Sequence, residues 1–97
     1  MEVRIQSIHF DATERLQAFI NKKAERMARH NADIAVVEVT LKVVKPETAM
    51  NKEAVIKVTA PGYDDIVANK IADTFEEAVD VCIDALERQM DKRKDKK

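Results

Sequence analysis

The final quarter of the chain carries an apolar stripe, and its spacing constrains the fold more than any other feature. Between Asp73 and Lys97 the apolar residues recur three and four positions apart, as they do along one face of an α-helix. The stripe consists of Phe75, Ala78, Val79, Cys82, Ile83, Leu86 and Met90. The other positions are acidic in the first half and basic in the second half. We therefore predict one long C-terminal helix, capped by Asp73 or Thr74, that packs along its stripe and ends among cations.

A first helix is predicted over residues from about 12 to 31. Asp11, with Glu14 three residues later, is typical of a helix start, because the side-chain oxygen of Asp11 can accept a hydrogen bond from an amide of the first turn. The predicted core face of this helix consists of Leu16, Phe19, Ile20, Ala24 and Met27.

Alternating apolar and polar residues predict strands in the rest of the chain. The predicted strands cover residues 2–7, 35–44 and 53–60, with a weaker fourth strand over 65–71. Strands with one polar face need cover on the other face only, and two amphipathic helices can provide it. The sequence therefore predicts an α+β fold: a two-layer βαβββα domain with a four-stranded mixed sheet and two helices packed on one face. We expect a single domain over residues 1–97, with a frayed basic tail from about residue 93.

The composition argues against several classes of function. The chain has one cysteine, and Cys82 lies on the apolar stripe, where a buried, inert thiol is expected. His9 and His30 stand far apart, and the single glycine excludes a glycine-rich nucleotide loop. No apolar run approaches the ~20 residues of a membrane span, and the N-terminus does not resemble a signal peptide. We expect a cytoplasmic protein that is not an enzyme, does not bind membranes, and uses no cofactor, metal or small-molecule substrate.

Basic residues collect on the first helix although the formal net charge of the chain is −1. At a helical rotation of roughly 100° per residue, a row of cations lies within one narrow arc beside Phe19. This row consists of Arg15, Lys22, Arg26 and Arg29. Lys23 instead falls inside the apolar arc, so its ammonium group is expected to extend past an edge of the packed face toward a neighbouring groove.

A second basic row, Arg88, Lys92 and Lys96, follows one edge of the stripe on the last helix. If the two helices lie side by side, the two rows can flank one groove, and fixed cations at such spacings suit a phosphate backbone. A solvated face that favours the helix dipole and keeps the protein soluble explains the same residues. The bases alone leave both interpretations open. Few aromatic residues are available to stack on bases, so binding would depend on shape and phosphate contact.

Three sequence patterns resemble those of the short ribosome hibernation-promoting factors, also described as ribosome-associated inhibitors and sigma-54 modulation proteins. The first is L-x-x-F-I-x-x-K-x-x-x-M, from Leu16 to Met27. The others are D-T-F-x-x-A-V-D over residues 73–80 and D-x-L-E-R-Q-M-x-K over residues 84–92, the most specific of the three. Their order and separation extend the resemblance over nearly the whole chain.

The resemblance implies a βαβββα fold and binding to ribosomal RNA of the small ribosomal subunit (30S), including the subunit within the 70S ribosome. The implied binding site is the channel that mRNA and the anticodon ends of tRNA would occupy. Filling this channel would silence translation in hibernating ribosomes during stress. The family's basic positions carry over to Lys23, Arg26, Arg29, Arg88 and Lys92. The candidate RNA-binding residues are Lys22, Lys23, Arg26, Arg29, Arg88, Lys92, Arg93 and Lys96.

Two features depart from the family pattern: Ala85 stands where the family usually has lysine, and the chain is nearly neutral overall. The protein is expected to act as a short form, without the C-terminal domain of longer relatives.

Two other functions remain open. The first is a protein-interaction module that uses the exposed sheet face or the acidic half of the last helix, and the second is a general binder of double-stranded RNA. The acidic half contains Glu76, Glu77, Asp80 and Asp84.

Overall fold

The computed structural model describes the backbone of residues 1–45 and 49–95 and, within these ranges, the side chains as far as Lys92. The elements are β1 (Glu2–Ile8), α1 (Glu14–His30), β2 (Val36–Val43), β3 (Lys52–Thr59), β4 (Ile66–Ala72) and α2 (Phe75–Asp95). This order confirms the predicted βαβββα arrangement, and each element begins and ends within two residues of its predicted bounds.

The four strands form one mixed sheet in the order β1-β2-β3-β4. β1 and β2 are parallel, since α1 lies between them and returns the chain to the end of the sheet where β1 began. The other two pairs are antiparallel. The registers align Ile5, Val39, Ile56 and Ala68 in one row across all four strands. All four side chains belong to or pack against the core, so this row belongs to the face that the helices cover.

Both helices contribute their apolar faces to the same core. Leu16, Ile20, Ala24 and Met27 of α1 are buried in one cluster with the stripe of α2 and the inward residues of the sheet. α2 packs on β3 and β4, and α1 packs against α2. The predicted α+β fold, with two helices on one face of a mixed sheet, is therefore confirmed. Within the described residues, neither helix combines the length and the apolar composition needed to cross a membrane.

The start of α1 differs from the prediction in its capping residue. Thr13 has extended backbone angles, and its Oγ1 atom accepts a hydrogen bond from the amide of Leu16 at 3.1 Å. The prediction that Asp11 caps this helix is therefore wrong, because the helix begins only at Glu14, and Thr13, not Asp11, directly precedes it. Thr13 is the residue directly before the first turn, from which a side-chain oxygen can reach an unpaired amide.

The start of α2 resolves the choice between the two predicted caps. Thr74 Oγ1 accepts a hydrogen bond from the amide of Glu77 at 3.1 Å, which confirms Thr74 as a capping residue. Asp73 has another role: its carboxylate accepts from the amide of Met50 at 2.9 Å. This contact joins the connection between β2 and β3 to the residues that lead into α2.

β4 shows why the alternation of its sequence is weak. Only Ala68 and Ala72 are buried, whereas Val67 and Ile71 are 53% and 43% exposed on the uncovered face of the sheet. Because this edge strand carries Val67 and Ile71 outward, whereas its inward positions include Lys70 as well as the small Ala68 and Ala72, hydrophobicity does not distinguish its two faces.

Candidate nucleic-acid interface

Four of the predicted cations meet on the surface of α1. They line a pocket of about 320 Å³ together with Phe19. The four residues are Lys22, Lys23, Arg26 and Arg29. α1 turns them outward because its opposite face is fixed in the core, where Ile20 and Met27 are fully buried. The pocket therefore collects positive charge along about two turns of a helix that is held in place by packing.

Lys23 extends from α1 to α2. Its Nζ atom lies 2.9 Å from Oδ1 of Asp80 and 5.4 Å from the centroid of the Phe19 ring. The side chain is 26% exposed, so its stem is largely covered while the ammonium group reaches the pocket. This geometry explains why a lysine stands inside the apolar arc of α1: that arc borders on α2, and the ammonium group projects at the border.

The edge of α2 that faces α1 is acidic. Asp80 contacts Lys23, and one carboxylate oxygen of Glu87 lies 3.7 Å from Nδ1 of His30 at the C-terminal end of α1. Asp80 and Glu87 are seven residues apart, which places them two turns apart on the same side of a helix. The sequence alone did not reveal this edge. The only available signal was the spacing of the two acids beside the apolar stripe.

The basic residues of α2 turn away from this acidic edge. Arg88 and Lys92 are both exposed. At a helical rotation of roughly 100° per residue, they lie about 100° and 140° around the axis from Glu87. Neither residue is among those that line the α1 pocket. A single groove flanked by both rows therefore stays a prediction. The side chain of Arg93 and the whole of Lys96, also predicted as RNA-binding, lie outside the described residues.

The only cysteine has the environment of a structural residue. Cys82 is fully buried, and its Sγ atom donates a hydrogen bond to the carbonyl oxygen of Ala54 at 3.2 Å. Burial raises the pKa of the Cys82 thiol to about 11, which disfavours the nucleophilic thiolate. The predicted burial of the Cys82 thiol is thus confirmed. Over residues 1–45 and 49–92, histidine, cysteine and acidic side chains form no group of three that could hold a metal ion.

Comparisons with known proteins agree with this fold. The model of the family described as "Sigma 54 modulation protein / S30EA ribosomal protein" matches residues 3–97. A ribosome hibernation promoting factor from Pseudomonas putida is 32% identical over 96 residues, covering 99% of this chain and 89% of that protein. The corresponding factor from Azotobacter vinelandii is 31% identical over 96 residues, covering 99% of this chain and 85% of that protein.

Two solved structures share the architecture. A ribosomal subunit interface protein from Coxiella burnetii superimposes with a TM-score of 0.87 at 24% identity, over 99% of this chain and 100% of that one. The N-terminal domain of Protein Y from Thermus thermophilus gives a TM-score of 0.76 at 21% identity, over 92% of this chain and 94% of that one. At such identities the structures show a common fold alone. With the family match over almost all residues and relatives above 30% identity, the chain belongs to the sigma 54 modulation protein / S30EA ribosomal protein family.

Proposed function

We propose that this protein is a non-enzymatic ribosome hibernation factor that binds the small ribosomal subunit and silences translation by occupying the channel of mRNA and tRNA. Membership in the family supports ribosome association, since relatives that match almost all of the chain are named ribosome hibernation promoting factors. A cytoplasmic location belongs to the same proposal, because that is where ribosomes translate.

The observation that carries the proposal is the clustering of four cations in the α1 pocket. A phosphate backbone presents regularly spaced negative charges, and each phosphate neutralised by a fixed cation releases condensed counterions into solution. Arg26 and Arg29 add planar guanidinium groups, which can donate two parallel hydrogen bonds to one phosphate. A helix held by its core face presents these groups from a fixed backbone, so the conformational entropy lost on binding is mainly that of the side chains.

Arg88 and Lys92 extend the proposed RNA-binding surface across the outer side of α2. They are separated from the α1 pocket by the edge that carries Asp80 and Glu87. The proposed surface is therefore two basic rows with an acidic strip between them. Such a surface suits RNA segments that contact the protein at two places, as the walls of a channel would.

The absence of catalysis is part of the proposal and is supported by the side chains available. The buried Cys82 thiol has a raised pKa, which disfavours nucleophilic chemistry. A 30S ligand also needs no reaction to block translation, since occupancy of the channel is sufficient.

The test is co-sedimentation with purified 30S subunits and 70S ribosomes at low and moderate salt. Replacing Lys22, Arg26 and Arg29 with alanine should reduce the bound fraction strongly. It should also flatten the salt dependence, by roughly 0.7–0.9 log units per log unit of salt for each phosphate that the variant no longer neutralises. The matched control replaces Arg4, Lys42 and Lys57, which project from the uncovered face of the sheet, and changes the net charge equally.

Several outcomes separate the candidate functions. Weaker binding by the α1 variant but not by the sheet variant supports the proposal. Equal weakening in both variants, or binding that survives in the α1 variant, contradicts the proposed site. Competition by free duplex RNA as effective as competition by ribosomes would identify a general duplex binder, and protein capture that survives nuclease treatment would identify a protein-interaction module.

A further inference from the structure

The ion pair between Lys23 and Asp80 places a carboxylate at the border of the basic pocket. Lys23 lines the pocket, and its ammonium nitrogen lies 2.9 Å from Oδ1 of Asp80. The Asp80 side chain is 48% exposed, so its charge is open to any ligand that approaches. A phosphate that contacts the Lys23 ammonium group must therefore also come close to a second negative charge.

Building on the proposed ribosome binding, we infer that the Asp80 carboxylate pairs with the Lys23 ammonium group in the free protein. This ion pair lowers the affinity of the pocket for RNA phosphate. An incoming phosphate can contact Lys23 only by displacing Asp80 or by sharing the ammonium group with it. When the carboxylate is displaced, it recruits a counterion from solution. That uptake offsets the counterion release that normally favours phosphate binding.

The other cations of the pocket differ from Lys23. In the part of the chain that the structure describes, Lys22, Arg26 and Arg29 have no ion-pair partner. These three side chains can therefore bind phosphate without breaking an ion pair. Lys23 can bind phosphate only by releasing Asp80 or by sharing its ammonium group with Asp80. The pocket accordingly favours a ligand that presents several phosphates in a row, such as an RNA backbone, over one that presents a single phosphate at Lys23.

The first experiment compares the wild-type protein with Asp80→Asn in co-sedimentation with 30S subunits over a series of salt concentrations. An exposed ion pair is worth little, so the expected gain in affinity at low salt is about two- to fivefold. The plot of log affinity against log salt should also become steeper, by at most the contribution of one phosphate, roughly 0.7–0.9. Asp80→Glu retains the carboxylate and should keep the wild-type affinity and slope.

A double-mutant cycle tests whether the gain in affinity of Asp80→Asn depends on Lys23. Lys23→Gln should weaken binding less in the wild-type background than in the Asp80→Asn background, because Asp80 already restrains the access of phosphate to Lys23 in the wild-type protein. In the Asp80→Asn background the same substitution should remove the whole gain. Glu38→Gln serves as the control for net charge, since Glu38 lies on the uncovered face of the sheet, opposite the helices. It should leave affinity and slope unchanged.

The outcomes separate the inference from the proposed function. If wild-type protein binds 30S subunits but Asp80→Asn binds them more weakly, Asp80 positions Lys23 instead of competing for it, and the inference is overturned alone. The inference is likewise overturned if Lys23→Gln has the same effect in both backgrounds, or if Glu38→Gln reproduces the gain. If wild-type protein does not bind at all, the proposed function fails and the inference fails with it. Circular dichroism of each variant verifies that the fold is retained.

Discussion

The Sγ atom of Cys82 donates a hydrogen bond to the carbonyl oxygen of Ala54, 3.2 Å away in the interior of the domain. A second carbonyl oxygen, that of Ala68, lies 3.6 Å from the same sulfur. The thiol thus connects α2 to the two strands beneath it, and it needs its proton to donate this hydrogen bond between helix and sheet.

This environment predicts a pH dependence of stability. Burial raises the pKa of the Cys82 thiol from 9.0 to about 11, so the folded state keeps its proton in a range where the unfolded state has lost it. The stabilisation is complete below about pH 9 and disappears as the pH rises through the folded-state pKa. It amounts to at most about 2–3 kcal/mol for a shift of this size.

Urea unfolding at a series of pH values between 7 and 11 measures this effect. Other groups, such as tyrosine and lysine, titrate in the same range, so Cys82→Ala is the required reference. This variant should be less stable at pH 7, by about 1–2 kcal/mol for the small cavity. The difference between the two proteins should shrink above about pH 9 and change sign near pH 11, because the loss of about 2–3 kcal/mol in the wild-type protein exceeds the cost of the cavity. Parallel stability curves over the whole range would show that the thiol does not titrate as inferred.

A second prediction concerns the residue that caps α1. Thr13→Ala should lower the free energy of unfolding by about 1 kcal/mol, because it removes the Oγ1 atom that accepts from the amide of Leu16. Asp11→Ala is the matched control at the position that the sequence pattern favoured, and it should change stability by less than about 0.5 kcal/mol. Chemical denaturation of the two variants measures the difference. A larger destabilisation by Asp11→Ala would mean that the helix begins earlier in solution.

The misplaced cap illustrates what the sequence could and could not predict. Periodicity identified five of the six elements clearly because each buries one face, and a repeat of two or of three to four residues is local information. It indicated β4 only weakly, because hydrophobicity does not distinguish the two faces of that strand. The capping position depends on where the backbone turns, and both Asp11 and Thr13 are suitable capping residues. The chemistry of the side chains could not decide between two acceptable oxygen acceptors only two residues apart.

For the candidate site, likewise, the sequence predicted which residues of α1 lie together but not which residues of α2 they contact. A helical wheel collected Lys22, Arg26 and Arg29 on one arc, and the structure places these residues around one pocket. The wheel of a single helix does not say which of its edges faces a neighbouring helix. The contact between Lys23 and Asp80 depends on the relative rotation of α1 and α2, which is set by packing over the whole core.

Ala85 provides a prediction about the α2 side of the proposed surface. At roughly 100° per residue, Ala85 lies about 20° from Lys92 and about 60° from Arg88, so it belongs to the same row. The resemblance to the hibernation factors places a lysine at this position. Ala85→Lys should raise the affinity for 30S subunits about two- to fivefold at low salt and steepen the salt dependence by the equivalent of one phosphate.

The substituted lysine can be accommodated because Ala85 is only partly buried against the core, and a long aliphatic stem can extend from such a position to solvent. Val67→Lys is the matched control: it adds the same charge at a position that is 53% exposed on the uncovered face of the sheet. Co-sedimentation of both variants at several salt concentrations makes the comparison. If the two lysines raise affinity equally, the gain reflects net charge alone, and Arg88 and Lys92 lose their place in the proposed surface. A gain confined to Ala85→Lys would identify the outer side of α2 as a surface that faces RNA.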